Sequence, residues 1–283
     1  MSTEMTTQKS DLALANGDQK GTLATSNGNG MMAQAGRKLI TPVSAYDLDY
    51  SVTSSEPGIE VPEDIMAAAR AWIEDYKAYL SEQTEMYVER QASAKSQKRT
   101  LGLEAGEPSV TIPGCDYVAF DVVTLSPIQF IGLPPYEPGK VIAGGELALQ
   151  LALVFINPTV DLPCGFAVPP TVQLGGRTLR VRFERIDLTN VANGPDTTFN
   201  IVLPNPAPAV VLIPQFFIAP DPGINPQLVE VNVTADIVNA AQPYAAFSTN
   251  HVDIDREPPF LFVPGVSPEL QHDVPLRYLI YRQ

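Results

Sequence analysis

His251-Val252-Asp253-Ile254-Asp255 is the part of this chain richest in reactive side chains. Strand alternation would put one imidazole and two carboxylates on one face, the donor types from which a zinc or calcium site begins. A solvated strand face would have the same composition. The chain has two histidines, His251 and His272, so any histidine-based triad must use one of them, and His272-Asp273 falls in an expected loop. The carboxylate pairs Asp47/Asp49 and Glu74/Asp75 sit on the outer faces of an expected strand and helix, and without a separation they identify no glycosidase. Arg180 and Arg182 offer an anion site, but Glu184 beside them favours an ion pair. Gly144-Gly145 and Gly175-Gly176 are turn glycines, with neither a phosphate loop nor a dinucleotide fingerprint. A metal-dependent enzyme using His251, Asp253 and Asp255 is therefore the minor expectation. No catalytic residue and no cofactor is assigned, and the chain is expected to be non-enzymatic.

Four zones follow from composition. Residues 1–38 form a polar, low-complexity arm with few large apolar side chains, too few to offset chain entropy alone. Residues 39–60 read as an extended, strand-like segment. Tyr46-Asp47-Leu48-Asp49-Tyr50-Ser51-Val52 alternates strictly and has no neighbouring strand in sequence. Ile40, Tyr46, Leu48, Tyr50 and Val52 share one face of it. Residues 61–100 read as an amphipathic helix: Pro62 suits a first helical position, Glu63 and Asp64 sit at the positive end of the dipole, and Lys95, Lys98 and Arg99 at the negative end. Its stripe runs through Ile65, Ala69, Trp72, Tyr76 and Tyr79, widened by Ile73, Leu80 and Tyr87. Ile65, Trp72, Ile73, Tyr76, Tyr79 and Leu80 are the expected packing residues. A stripe this broad suits a sheet or bundle better than a two-stranded coiled coil.

Residues 101–283 hold 24 of the 27 prolines, a density that excludes long helices and marks strand ends and edges. Strands are expected at 117–125, 146–156, 197–203, 209–218, 228–238, 244–254 and 275–282. A tight hairpin is expected from Thr171 to Phe183 through Gly175-Gly176. The expected fold is mainly β: a proline-rich, jelly-roll-like β-sandwich preceded by one long helix and an extended N-terminal arm. Glu146–Ile156 and Ala209–Ile218 are apolar on both faces, so something must cover the outside of at least one sheet. The 62–98 helix of the same chain is the expected cover, and a neighbouring subunit the alternative. Cys115 and Cys164 both lie in turn-like settings. Two separate buried thiols are expected, with a disulfide as the alternative.

Charge narrows the function classes. The chain carries a formal charge of −14, and residues 101–283 contain 8 Lys and Arg against 18 Asp and Glu. Phosphate contacts need clustered Lys and Arg, so no nucleic-acid partner is expected. No Sec-type leader and no membrane span are expected, which leaves a cytoplasmic, particle-associated or otherwise exported protein. Asn232-Val233-Thr234 fits a glycosylation acceptor but reads more simply as strand.

Lys140 is the only lysine beyond residue 100, so lysine does little to blunt the sheet edges. An open edge would accept residues 44–52 of another copy by β-augmentation, repeating into a filament or closing into a ring or shell. The chain is thus expected to be a structural subunit whose partner is itself. Its arm-plus-sandwich layout resembles capsid and fibre subunits in outline, with no shared motif, and the missing basic arm argues against genome packaging. The alternative is a carbohydrate- or protein-binding sandwich module, for which Tyr117, Tyr136 and Tyr244 are the candidate loop aromatics.

Overall fold

A helix that starts behind a proline and carries acids in its first turn begins where its orphan N–H groups and dipole favour it. Helix α1 (Glu63–Thr100) does so, with Glu63 and Asp64 in that turn and the Met66 N–H donating to the Pro62 carbonyl at 2.9 Å. The computed structural model describes residues 43–45, 59–100, 117–162, 164–240, 244–248, 250–252, 272–273 and 275–282. All belong to the unit Leu39–Gln283.

Among the described residues the strands are β1 (Val43–Ala45), β2 (Phe120–Leu125), β3 (Ile128–Gln129), β4 (Val141–Ala143), β5 (Leu147–Ile156), β6 (Thr178–Asp187), β7 (Ala192–Asn193), β8 (Thr197–Val202), β9 (Val210–Ile218), β10 (Gln227–Ile237), β11 (Ala245–Phe247), β12 (Asn250–Val252), β13 (His272–Asp273) and β14 (Leu276–Tyr281). The protein is mainly β, built of two sheets and one long helix. The first sheet runs β1-β9-β5-β2-β12-β13, with β3 also on β5; the second runs β4-β14-β10-β6-β7, with β11 on β10 and β8 on β6.

Strand β5 shows how the layers arise. Its alternate residues Ala148, Ala152, Val154 and Ile156 share a core with Leu179, Val181 and Phe183 of β6 and with Val229, Val231 and Val233 of β10. The opposite set, Leu149, Leu151, Leu153 and Phe155, packs with Ala69, Ile73, Tyr76, Leu80 and Tyr87 of α1. The cover over the doubly apolar sheet is therefore the chain's own helix. Leu149, Leu151 and Leu153 are fully buried, each contributing about 1.5–3 kcal/mol of transfer free energy. The helix stripe is centred on Ile73, Leu80 and Tyr87, with Trp72 and Tyr79 flanking it at partial burial. It thus runs one position off the heptad through Trp72 and Tyr79. A flat sheet accepts a wider helical face than a coiled-coil seam does, so the residues that widen the stripe become its axis.

The second sheet has a wet outer face. Arg180 of β6 lies opposite Asp236 of β10 and grips its carboxylate through Nε at 2.8 Å and Nη2 at 2.9 Å. Arg182 pairs with Asp196 at 2.8 Å and Glu184 at 3.0 Å, and Arg277 with Glu230 at 2.7 Å. Exposed pairs of this kind contribute about 0–1 kcal/mol each, but they keep that face in water without a cover.

Two expected elements differ. Residues Pro170–Gln173 form a short helix, α2, followed by a turn, so Gly175-Gly176 does not join two strands of a hairpin. Pro170 fixes a helical φ at the first position, and β6 instead pairs with β8 and β10. The expected strand 244–254 is broken. Strand β11 pairs with β10 of the second sheet and β12 with β2 of the first. Ser248 marks the crossing: its N–H donates to Val233 O at 2.7 Å, and its hydroxyl accepts from Thr124 Oγ1 at 2.9 Å.

Cys164 is disulfide-bonded, which corrects the expectation of two separate thiols; Cys115, the only other cysteine, lies outside the described residues. The Cys164 turn is half-exposed and held by the Asp161–Phe166 bridge, not a buried thiol setting. No helix among the described residues is long and apolar enough to cross a membrane.

Asp121 of β2 makes stability depend on pH. Burial raises its carboxyl above the usual range, partly offset by the hydrogen bond it accepts from the Val122 N–H. A group whose folded pKa is raised binds protons more tightly when folded, so its penalty is present at neutral pH and fades as pH falls through the raised value. Asp121→Asn should therefore raise the urea midpoint at pH 7, and the gain should shrink on acidification. A difference from the parent that stays constant from pH 7 to pH 4 would remove this account.

Candidate assembly interface

An edge strand presents unpaired N–H and C=O groups, and a segment of extended chain can satisfy them. Strand β9 is next to last in the first sheet, and β1 completes that end by parallel pairing: Val43 with Val210, Ser44 with Val211 and Ala45 with Leu212. Strand β1, which precedes the helix, thus pairs with a strand more than 160 residues away in sequence. Only the first three positions of the nine-residue β9 are matched. Beyond Leu212, the side of β9 away from β5 has no strand partner among the described residues. Pro214 interrupts this stretch, and its final residue, Ile218, is 50% exposed.

The faces beside this edge are already occupied. Val210 and Leu212 lie in the helix-covered core, and Val211, Ile213 and Phe217 in the core between the sheets. What β9 can still offer is its edge.

Beneath the edge the sandwich is pinned by a buried polar cluster. Gln150 of β5 and Gln215 of β9 are register partners, and the Oε1 of each accepts from Arg185 Nη2 of β6, at 3.2 Å and 3.0 Å. Gln215 Nε2 donates to Thr197 Oγ1. The guanidinium carbon stands 4.2 Å from the centre of the Phe217 ring, a cation–π contact. Arg185 also hydrogen-bonds Tyr278, a contact that lowers the phenol's pKa, although burial prevails and raises it overall. Arg185, Gln150, Gln215 and Thr197 are all buried. The cluster joins both sheets through directional bonds inside an otherwise apolar core. Sequence reasoning missed it, although a lone Gln in each of two apolar strands was its signal.

The other candidate residues fall as follows. Ile73, Tyr76 and Leu80 are buried against the first sheet, and Ile65, Trp72 and Tyr79 pack there at partial burial. Trp72 Nε1 donates to Tyr136 O at 3.0 Å, which ties α1 to the loop after β3. Burial pushes the Tyr79 phenol up to about 12. Ile40, Tyr46, Leu48, Tyr50 and Val52 lie outside the described residues, immediately flanking β1. His251 is in β12, while Asp253 and Asp255 lie outside the described residues. Among the described residues no three His, Cys, Asp or Glu side chains are grouped to hold a metal.

Of the three loop tyrosines, Tyr117 and Tyr244 lie near each other: burial, and then Tyr87 and Tyr244 beside it, raise the pKa of the Tyr117 phenol. Tyr136 joins the helix-side core and Tyr244 the inter-sheet core, while Tyr117 stacks on Phe166 with ring centres 4.6 Å apart. Their hydroxyls are used internally: Tyr117 donates to Thr159 O at 2.6 Å, Tyr136 to Gly132 O at 3.4 Å and Tyr244 to Gln173 Oε1 at 2.5 Å.

No protein-family model matches this chain, and no curated protein does. Among solved structures it is similar to the Pseudomonas fluorescens alkylpurine DNA glycosylase AlkC bound to DNA containing an abasic site analog, at 12% identity and a TM-score of 0.23. The match covers 47% of this chain and 30% of the other. A likeness of that size carries no argument about fold or activity.

Proposed function

We propose that this chain is a non-enzymatic structural subunit that assembles with copies of itself, into a filament, tube or shell, by docking its N-terminal arm on a neighbouring subunit. The observation that carries this reading is the β1–β9 pairing. A three-residue parallel strand, β1, occupies the start of an edge that has no further strand partner among the described residues. The same hydrogen bonds form equally well when the strand comes from the next copy, because strand exchange changes the source of β1 and not its contacts. The length of chain suffices for this: fully extended, 60 residues would reach at most roughly 200 Å at about 3.3 Å per residue.

Tyr46, Leu48 and Tyr50 follow β1 directly and alternate in sequence, which suits them to extend the pairing once a neighbour's edge is available. Negative-stain electron microscopy of the full-length protein tests this. Regular polymers or shells are expected, and the full-length chain carrying Tyr46→Asp, Leu48→Asp and Tyr50→Asp should give dispersed particles with unchanged circular dichroism. Particles of a single 30.6 kDa chain from the unmodified protein at every concentration would overturn the reading, as would assemblies that persist in the triple variant.

A further inference from the structure

The ion pairs on the outer face of the second sheet leave part of it apolar. Leu188, just past β6, donates its N–H to Leu228 O at 2.8 Å. Leu228 of β10 is in register with Leu279 of β14, and Leu279 with Val141 of β4. The four form one row across the sheet, with Val141 56% and Leu228 37% exposed. Further along β10, Thr234 stands between Arg182 of β6 and Phe247 of β11, and Phe247 is 67% exposed. Contiguous exposed apolar residues rimmed by polar ones mark an interaction surface. Helix α1 cannot serve here, because it covers the other sheet.

The face is its own complement about a line along β10. A two-fold rotation about that line lays the β6 side of one copy over the β14 and β11 side of the other, so each residue meets the far end of its own rung. Leu188 then meets the second copy's Leu279, Leu228 meets Leu228, and Arg182 meets the Phe247 ring, a cation–π arrangement. Glu230 and Asp236, which return to themselves on the axis, are each neutralised by an arginine of their own chain, Arg277 and Arg180. The footprint is also adequate. Five strands about 4.8 Å apart and the 11 residues of β10 at about 3.3 Å each give roughly 700 Å², near the about 800 Å² per partner of a standard interface. We propose that the outer face of the second sheet binds the same face of a second copy of this chain, about a two-fold axis along β10. The inference is independent of the assembly reading, which rests on the β9 edge of the first sheet.

The test is light scattering of the full-length chain carrying Tyr46→Asp, Leu48→Asp and Tyr50→Asp, so that arm-driven polymers do not hide a pair. A particle of twice the 30.6 kDa chain mass is expected. Adding Leu228→Glu sets like charges against each other on the axis and should raise the dissociation constant at least about tenfold. Leu188→Lys and Leu279→Asp should each weaken the pair by a similar factor and together restore it, because within one chain the two positions lie two strand spacings apart and meet only across the axis. Far-ultraviolet circular dichroism should be unchanged in all of them. A single-chain mass at every concentration overturns the proposal and leaves the row to a different protein. A pair that survives Leu228→Glu, or that the double variant fails to restore, overturns it equally. A second readout does not depend on the arm. With Cys164 disulfide-bonded, a short bis-maleimide should join Leu228→Cys to its own copy in the otherwise unmodified chain, whether or not that chain polymerises. Large particles in the arm variant would end the assembly reading alone, and absence of the covalent pair would end this one.

Discussion

Replacing Arg185 with alanine should lower the unfolding free energy by about 2–6 kcal/mol, although no salt bridge on the protein surface would change. Two buried amide oxygens, Gln150 Oε1 and Gln215 Oε1, lose their donor, and each buried acceptor left unsatisfied costs about 1–3 kcal/mol. The Phe217 ring also loses the guanidinium above it. The asymmetry of buried polar groups then makes a second prediction within the first. Arg185→Met combined with Gln150→Leu, Gln215→Leu, Thr197→Val and Tyr278→Phe removes the donors and acceptors together and should recover most of the loss, because apolar replacement of a whole buried polar unit is often neutral or stabilising. Urea denaturation followed by far-ultraviolet circular dichroism measures both. A loss below about 1 kcal/mol for Arg185→Ala, near the net worth of one ordinary hydrogen bond, would show that the cluster does not pin the sheets.

The contrast between that cluster and the long strands shows what sequence can reveal. Strands β5 and β9 were legible because ten and nine residues are apolar on both faces apart from one glutamine each, a pattern that also demands a cover. Helix α1 was legible for the same reason of length: its start at Pro62, Glu63 and Asp64 and its apolar stripe agree over many turns. Alternation puts Arg185 on the inward face with Leu179, Val181 and Phe183, opposite Arg180 and Arg182, but its partner was not legible, because Gln150 lies 35 residues away and only the packing of the two sheets brings them together.

Short elements were lost for a related reason. Strands β3, β7 and β13 have two residues each, too few for any period; β3 and β7 lie beside the ten-residue strands β5 and β6, and β13 beside β12. The expected hairpin at Gly175-Gly176 failed because turn chemistry was weighed without Pro169-Pro170 upstream, which commits the chain to a helical turn first. At the N-terminal segment, the alternating run Tyr46–Val52 called for a sheet but lies outside the described residues. The three residues that pair, Val43–Ala45, precede the alternating run, and their partner is set by which edge remains open.

The helix cover bears on the proposed assembly and makes a strong test. Leu80→Asp should destabilise the protein by more than about 4 kcal/mol at pH 7, because it puts an unpaired carboxylate into the apolar layer between α1 and the first sheet, where Leu80 is 3% exposed. Deleting the side chain alone, as Leu80→Ala, should cost about 2–5 kcal/mol. The two variants differ in their response to acid. The introduced carboxyl has its pKa raised by burial in the folded state, so the folded protein binds its proton more tightly and part of the penalty is recovered as pH falls toward the unfolded value near about 3.9. Leu80→Ala has no such term and should track the parent across pH. If the helix is the cover, Leu80→Asp should also expose the Leu149–Leu151–Leu153 face, seen as stronger binding of an apolar dye at pH 7 that declines on acidification. Equal stability losses for Leu80→Asp and Leu80→Ala at pH 7, with no pH dependence of the difference, would mean that residue 80 faces water. The first sheet would then need its cover from another subunit, and assembly would proceed through a face instead of the β9 edge.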